Sequence, residues 1–101
     1  MCRASWTRLL TAILKAKAGQ GDVIEQAFKK HAPMFQKDPG TITYAVHRKA
    51  DDPDTFLIYE RYESKAALDA HIASARFKEL IGITKPAQVG DAEVVFYKEV
   101  A

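Results

Sequence analysis

Apolar and polar positions alternate between Leu9 and Lys17: Leu10, Ala12, Leu14 and Ala16 share one face, and Leu9, Thr11, Ile13 and Lys15 the other. That period of two predicts a first strand. Ala18-Gly-Gln-Gly interrupts it, and the period then changes. Ile24, Ala27, Phe28, His31 and Phe35 recur at intervals of three and four, with Asp22 and Glu25 in the first turn and Lys29, Lys30 and Lys37 near the end. This is an amphipathic helix whose charges match its dipole. Pro33 lacks a backbone donor, so a kink or a loosened last turn is expected before Asp38-Pro-Gly ends the helix.

Alternation returns at Thr41 to Arg48, with Ile42, Tyr44 and Val46 on one face, and again at Phe56 to Tyr62. The polar turn Ala50-Asp-Asp-Pro-Asp joins these runs into an antiparallel hairpin. In the later run Phe56, Ile58, Glu60 and Tyr62 share one face while Leu57, Tyr59 and Arg61 share the other, so both faces carry large side chains and both need cover. Ser64 caps a second helix with Ala67, Leu68, His71, Ile72 and Ala75 inward. A further turn places Phe77, Leu80 and Ile81 inward before Gly82. Thr84 to Asp91 reads as a loop, and Glu93 to Glu99 as a last strand.

The order strand, helix, strand, strand, helix, strand predicts an α+β domain. It would be a ferredoxin-like β-α-β-β-α-β antiparallel sheet with both helices on one face. A chain of 101 residues has one core, and its helices cover one side of a small sheet. A homodimer packed sheet against sheet is the simplest cover for the other side. Residues 1–8 are expected to form a flexible segment before a single domain over 9–101, with Cys2 a bystander thiol in it.

Composition narrows the function classes. The chain is 48% hydrophobic and 28% charged, with a net charge of +2 and a pI near 8.7. So small and scattered a surplus argues against nucleic acid as partner. No window approaches the roughly 18 apolar residues of a membrane span. Lys15 and Lys17 interrupt the run from Leu9, so no signal peptide is predicted and a cytoplasmic location is expected. One cysteine and three separated histidines give no metal-ligand spacing, and Gly19 and Gly21 alone make no phosphate loop. No metal and no cofactor are therefore expected. A catalyst built on this chain would enclose a small substrate and place one or two polar groups around it.

Two histidines qualify, since His31 and His71 lie on the apolar stripes of their helices; either also suits a packed histidine bonded to a backbone carbonyl. His47, near a turn, reads as a surface or interface residue. Glu60 says more, because a carboxylate sharing a face with Phe56, Ile58 and Tyr62 must be paired or have a raised pKa. A structural ion pair across the sheet or dimer would satisfy it equally. Tyr44, Tyr59 and Tyr62 are candidates to offer a phenol to a pocket, or are core and interface aromatics.

Tyr59-Glu-Arg-Tyr-Glu-Ser followed by Ala67-Leu-Asp-Ala-His-Ile-Ala-Ser-Ala-Arg-Phe resembles the YExWxSxxALxxHxxSxxF pattern of antibiotic biosynthesis monooxygenase domain proteins. Lys15-Ala-Lys-Ala-Gly and Asp38-Pro-Gly-Thr-Ile-Thr-Tyr extend the likeness over nearly all of Leu9 to Tyr97. The resemblance implies a dimeric α+β barrel with a pocket in each subunit between sheet and helices. Its quinol-monooxygenase-like branch oxidises electron-rich quinols or polyphenols with dioxygen, without flavin or metal, the substrate's own anion supplying electrons. On that footing His71 and Glu60 are the catalytic candidates, with Tyr62, Phe56, His31 and Phe77 as substrate contacts. Heme-degrading relatives bind iron through a histidine seven residues after the Ser of the SxxF motif, with an Asn on the first strand and a Trp ending the third; here those positions are Ile81, Ala12 and Tyr62, which argues against that branch. Two other readings stay open. One is a non-catalytic dimeric module that binds a small molecule or is associated with stress. The other is an isomerase of a phosphorylated signalling sugar, with Arg48, Lys49 or Arg76 as phosphate contacts.

Overall fold

A computed structural model describes residues 8–101, and in it the alternating runs pair as strands. The elements are β1 (Arg8–Lys15), α1 (Gly21–Phe35), β2 (Thr41–Arg48), β3 (Thr55–Tyr62), α2 (Lys65–Ala73), α3 (Ala75–Thr84) and β4 (Glu93–Tyr97), with a 3₁₀ turn at Lys85–Ala87 between α3 and β4. The sheet order is β2-β3-β1-β4, and all neighbours are antiparallel. This is the ferredoxin-like α+β plan. The expected flexible segment and the Cys2 thiol lie outside the described residues except for Arg8, which opens β1.

Register turns the alternation into rows. Tyr44 pairs with Glu60, Glu60 with Leu10, and Leu10 with Phe96, so these four cross the sheet in one line on the helix-facing side. Val46, Ile58, Ala12 and Val94 form the next line. The core lies between these rows and the helices, with Ile24, Phe28 and Phe35 of α1 and Leu80 of α3 buried against it. Helices cover β2, β3 and β1. At the free edge, Val94 and Phe96 of β4 remain about half exposed.

Several local expectations change. Ile42 is 47% exposed, because the β2–β3 register shifts between Thr41 and Thr43 and turns it out of the alternation. Ile72, Ala75 and Ile81, expected inward, are exposed; Leu68, His71 and Leu80 are buried positions of α2 and α3, and Ile72 and Ile81, each one position further round, face the uncovered edge. Gly82 does not stop α3, which runs two residues past it before the Pro86 turn. Glycine in a helix interior costs only about 1 kcal/mol relative to alanine, which packing of Leu80 and Thr84 offsets. Likewise α1 continues through Pro33 to Phe35 and tightens into i→i+3 bonds only beyond it, at Lys37 to Met34 and Asp38 to Phe35. The stretch read as a loop after Thr84 is tied to the end of β1: Ala16 bridges to Gln88, and the Val89 N–H donates to the Lys15 carbonyl. Among the described residues, no helix is long and apolar enough to cross a membrane.

Candidate functional site

Strand alternation alone sends Glu60 into the core, flanked in register by Tyr44 and Leu10. It is 7% exposed. Tyr62, two residues on and on the same face, donates its hydroxyl to Glu60 Oε1 at 2.6 Å. Burial pushes the Glu60 pKa up to about 7, and the Tyr62 hydrogen bond acts in the opposite sense. Both Tyr44 and Tyr62 are raised above the ordinary phenol range by burial and by the Glu60 charge, so they remain protonated donors.

His71 comes from α2, one turn after Leu68. Its Nε2 lies 3.8 Å from Glu60 Oε1, close enough to share a proton's influence and too long for a direct hydrogen bond. Nδ1 is buried without a partner. The ring sits among aromatics: Phe35 at 4.6 Å edge-on, Phe77 at 5.0 Å, Tyr62 at 5.5 Å and Tyr44 at 5.7 Å between centroids. Burial lowers its pKa, with Asp38 opposing weakly. Both shifts have the same physical cause, burial, and both favour the uncharged form of the group.

Ser64 and Ser74 fix this geometry. Ser64 Oγ accepts from the Ala67 N–H and starts α2. Ser74 ends α2 and starts α3 with one hydroxyl, which donates to the His71 carbonyl at 2.7 Å and accepts from the Phe77 N–H at 3.1 Å.

A cavity of about 200 Å³ opens beside the pair. Leu10, Ala12, Ile58, Leu80 and Phe77 supply much of its apolar wall, with Glu60, His71 and Tyr44 at one end. Of the sequence candidates, then, Glu60, His71 and Phe77 line one space. Tyr62 reaches that space only through Glu60. Phe56 lies elsewhere, beneath the Arg48 guanidinium at 5.2 Å and beside a shallower cleft against α1. His31 is fully buried between α1 and α3, with Nε2 3.4 Å from Glu79 Oε2 and one ring, Phe35, separating it from His71. Arg48, a candidate phosphate contact, is held by Asp22 and Glu25 at 2.9 Å each and by the Pro53 carbonyl. Among the described residues, no three His, Cys, Asp or Glu side chains gather as a metal-ligand group.

Known proteins share this architecture. The chain superposes on a conserved protein from Methanosarcina mazei with a TM-score of 0.88 at 20% identity, covering 97% of each chain. The crystal structure of an antibiotic biosynthesis monooxygenase matches with a TM-score of 0.87 at 23% identity, covering 93% of this chain and 99% of the other. At these identities the likeness is one of fold. An uncharacterised protein of Synechocystis is 29% identical over 63 residues, which are 62% of this chain and 43% of the relative's length. The sequence pattern of the antibiotic biosynthesis monooxygenase family matches residues 9–82, most of β1 through α3, and the chain belongs to that family.

Proposed function

We propose that this protein is a cytoplasmic, homodimeric, cofactor-independent monooxygenase that oxidises a small hydroquinone or polyphenol with dioxygen. The observation that carries this reading is open, apolar space against a buried carboxyl whose pKa lies near 7. A purely structural Glu60–His71 pair would have been packed over. An apolar cavity of roughly 150 Å³ holds benzene, so about 200 Å³ suits one substituted ring.

Each part of the site then has work to do. A hydroxyl of the substrate faces Glu60 and His71, and the pair takes its proton; a base is most effective when its pKa lies near the working pH. The resulting anion sits among Leu10, Ala12 and Ile58 with little water to stabilise it, which raises its tendency to give an electron to dioxygen. The two radicals couple at a ring carbon beside the oxygen. Loss of water from that hydroperoxide leaves the hydroxylated quinone. One oxygen atom stays in the product and the other leaves as water, so hydroquinone plus dioxygen gives hydroxyquinone plus water and all the electrons come from the substrate. Phe77 and Tyr44, the rings beside His71 that line the cavity, hold the substrate ring in plane.

Oxygen uptake on a panel of hydroquinones, with ¹⁸O₂ and mass analysis of the product, tests this. One labelled atom per product is expected, with Glu60→Gln and His71→Ala each slower by roughly 10²- to 10⁴-fold. Hydrogen peroxide with unlabelled quinone would replace the monooxygenase with an oxidase. Rates no faster than the uncatalysed reaction would leave ligand binding without turnover.

A further inference from the structure

The mouth of the cavity is apolar. Ile72 and Ile81, from α2 and α3, stand on one side of it and Val94 and Phe96, from β4, on the other; all four line the cavity and yet are 37–58% exposed. Single exposed apolar side chains are ordinary, but four converging on one opening make a patch that marks a binding surface. Of the polar groups that line the cavity here, the two long side chains are engaged and Thr84 Oγ1 is buried without a partner. Lys85 is paired with Asp91, and Gln88 Nε2 donates to the Gly90 carbonyl.

Register supplies a direction. Glu60, Leu10 and Phe96 lie in one row on successive strands, so Phe96 stands two strand spacings, about 10 Å, from Glu60. A ring held at Glu60 rests over Leu10. Whatever extends from its far side toward solvent passes along Phe96 and Val94, opposite Ile72 and Ile81. The enclosed volume holds a ring and little more.

We infer that the substrate is amphipathic: a hydroxylated ring sits in the cavity with its oxygen at Glu60 and His71, and an apolar chain on the opposite side leaves through the mouth over Phe96 and Val94. This rests on the reading of the cavity as a quinol or phenol site, and it specifies which members of that class bind. Binding of phenol, 4-ethylphenol, 4-butylphenol and 4-hexylphenol, followed by titration calorimetry, tests it without turnover. Affinity should rise about fourfold per methylene in wild type, and less steeply in Phe96→Ser and Ile81→Asn, whose exposed positions let the fold be checked by thermal melting. Glu60→Gln should weaken all four ligands alike and keep the slope. Affinity independent of chain length overturns the inference, as does an unchanged slope in both mouth variants. A Phe96→Ser protein that changes its sedimentation while keeping the slope assigns the mouth to a second copy and also overturns it. A steep slope with no oxygen uptake on any alkylhydroquinone removes the oxygenase reading and leaves the amphipathic site; oxygen uptake on hydroquinone with a flat slope removes the chain alone.

Discussion

Glu60 and His71 shift in opposite senses for one reason, since burial penalises the charge of each. The consequence for stability has a definite sign. In the unfolded chain Glu60 loses its proton near its ordinary 4.5, while in the fold it holds it to about 7. Its contribution is therefore fully present below pH 4.5 and is lost as pH rises through 7, an effect of about 3 kcal/mol. His71 works the other way: its folded pKa is depressed, so its contribution is present above the ordinary 6.5 and is lost as pH falls through the folded value. Below 6.5, as far down as the folded His71 value, the two slopes oppose, and above 6.5 only that of Glu60 remains. Glu60→Gln isolates it. Urea unfolding at pH 4, 6 and 8 should show the variant close to wild type at pH 4 and more stable by about 3 kcal/mol at pH 8. A difference that does not change with pH would mean that Glu60 ionises normally in the fold, and the case for it as a base near neutrality would go.

At the scale of elements, the junction between α2 and α3 carries the site. Ser74 serves two helix ends, and the groups it bonds belong to His71 and Phe77, which line the cavity together. Ser74→Ala should cost about 1–2 kcal/mol in urea unfolding, and Ser74→Thr, which keeps the hydroxyl, should recover most of it. Loss in neither variant would show the junction to be held by packing alone. Strands and helices were legible in the sequence because period two, period 3.6 and a Ser cap are local signals. So were Glu60 and His71, as polar residues on apolar faces. What was not legible depends on distance in the chain. Phe56 shares the Glu60 face but stands four residues away, about 13 Å along the strand, which puts it beside the other cleft. Leu10 and Phe96 join the Glu60 row only through pairing between opposite ends of the chain. Helical periodicity gave His31 an inward side without saying that Phe35 would separate it from the cavity, and it gave Ile72 and Ile81 an inward side without saying that the sheet beneath them ends in an uncovered edge.

For the whole molecule, the open question is the face of the sheet away from the helices. Leu57 and Tyr59 lie at its centre on β3, paired in register with Ile13 and Thr11 of β1, and Tyr97 extends the apolar surface onto β4. Leu57 is 38% and Tyr97 50% exposed. Among the described residues the helices are committed to the opposite face and leave this one uncovered; under the homodimer proposed above, a partner covers it. A second copy offers the same apolar patch, and a two-fold axis through the sheet lets Leu57 and Tyr59 meet their equivalents. Such an interface should bury more than about 1,000 Å² in total. Sedimentation at low micromolar concentration should therefore give a dimer. Leu57→Lys and Tyr59→Lys should each dissociate it and, by exposing the remaining apolar surface, lower solubility. A folded, soluble monomer for the wild type would reject the pairing. The position of the cavity makes the test informative about function as well: it lies on the helix side, so a dissociated Leu57→Lys protein should still bind a phenol at Glu60, and loss of both properties together would show that the cavity needs the partner to keep its shape.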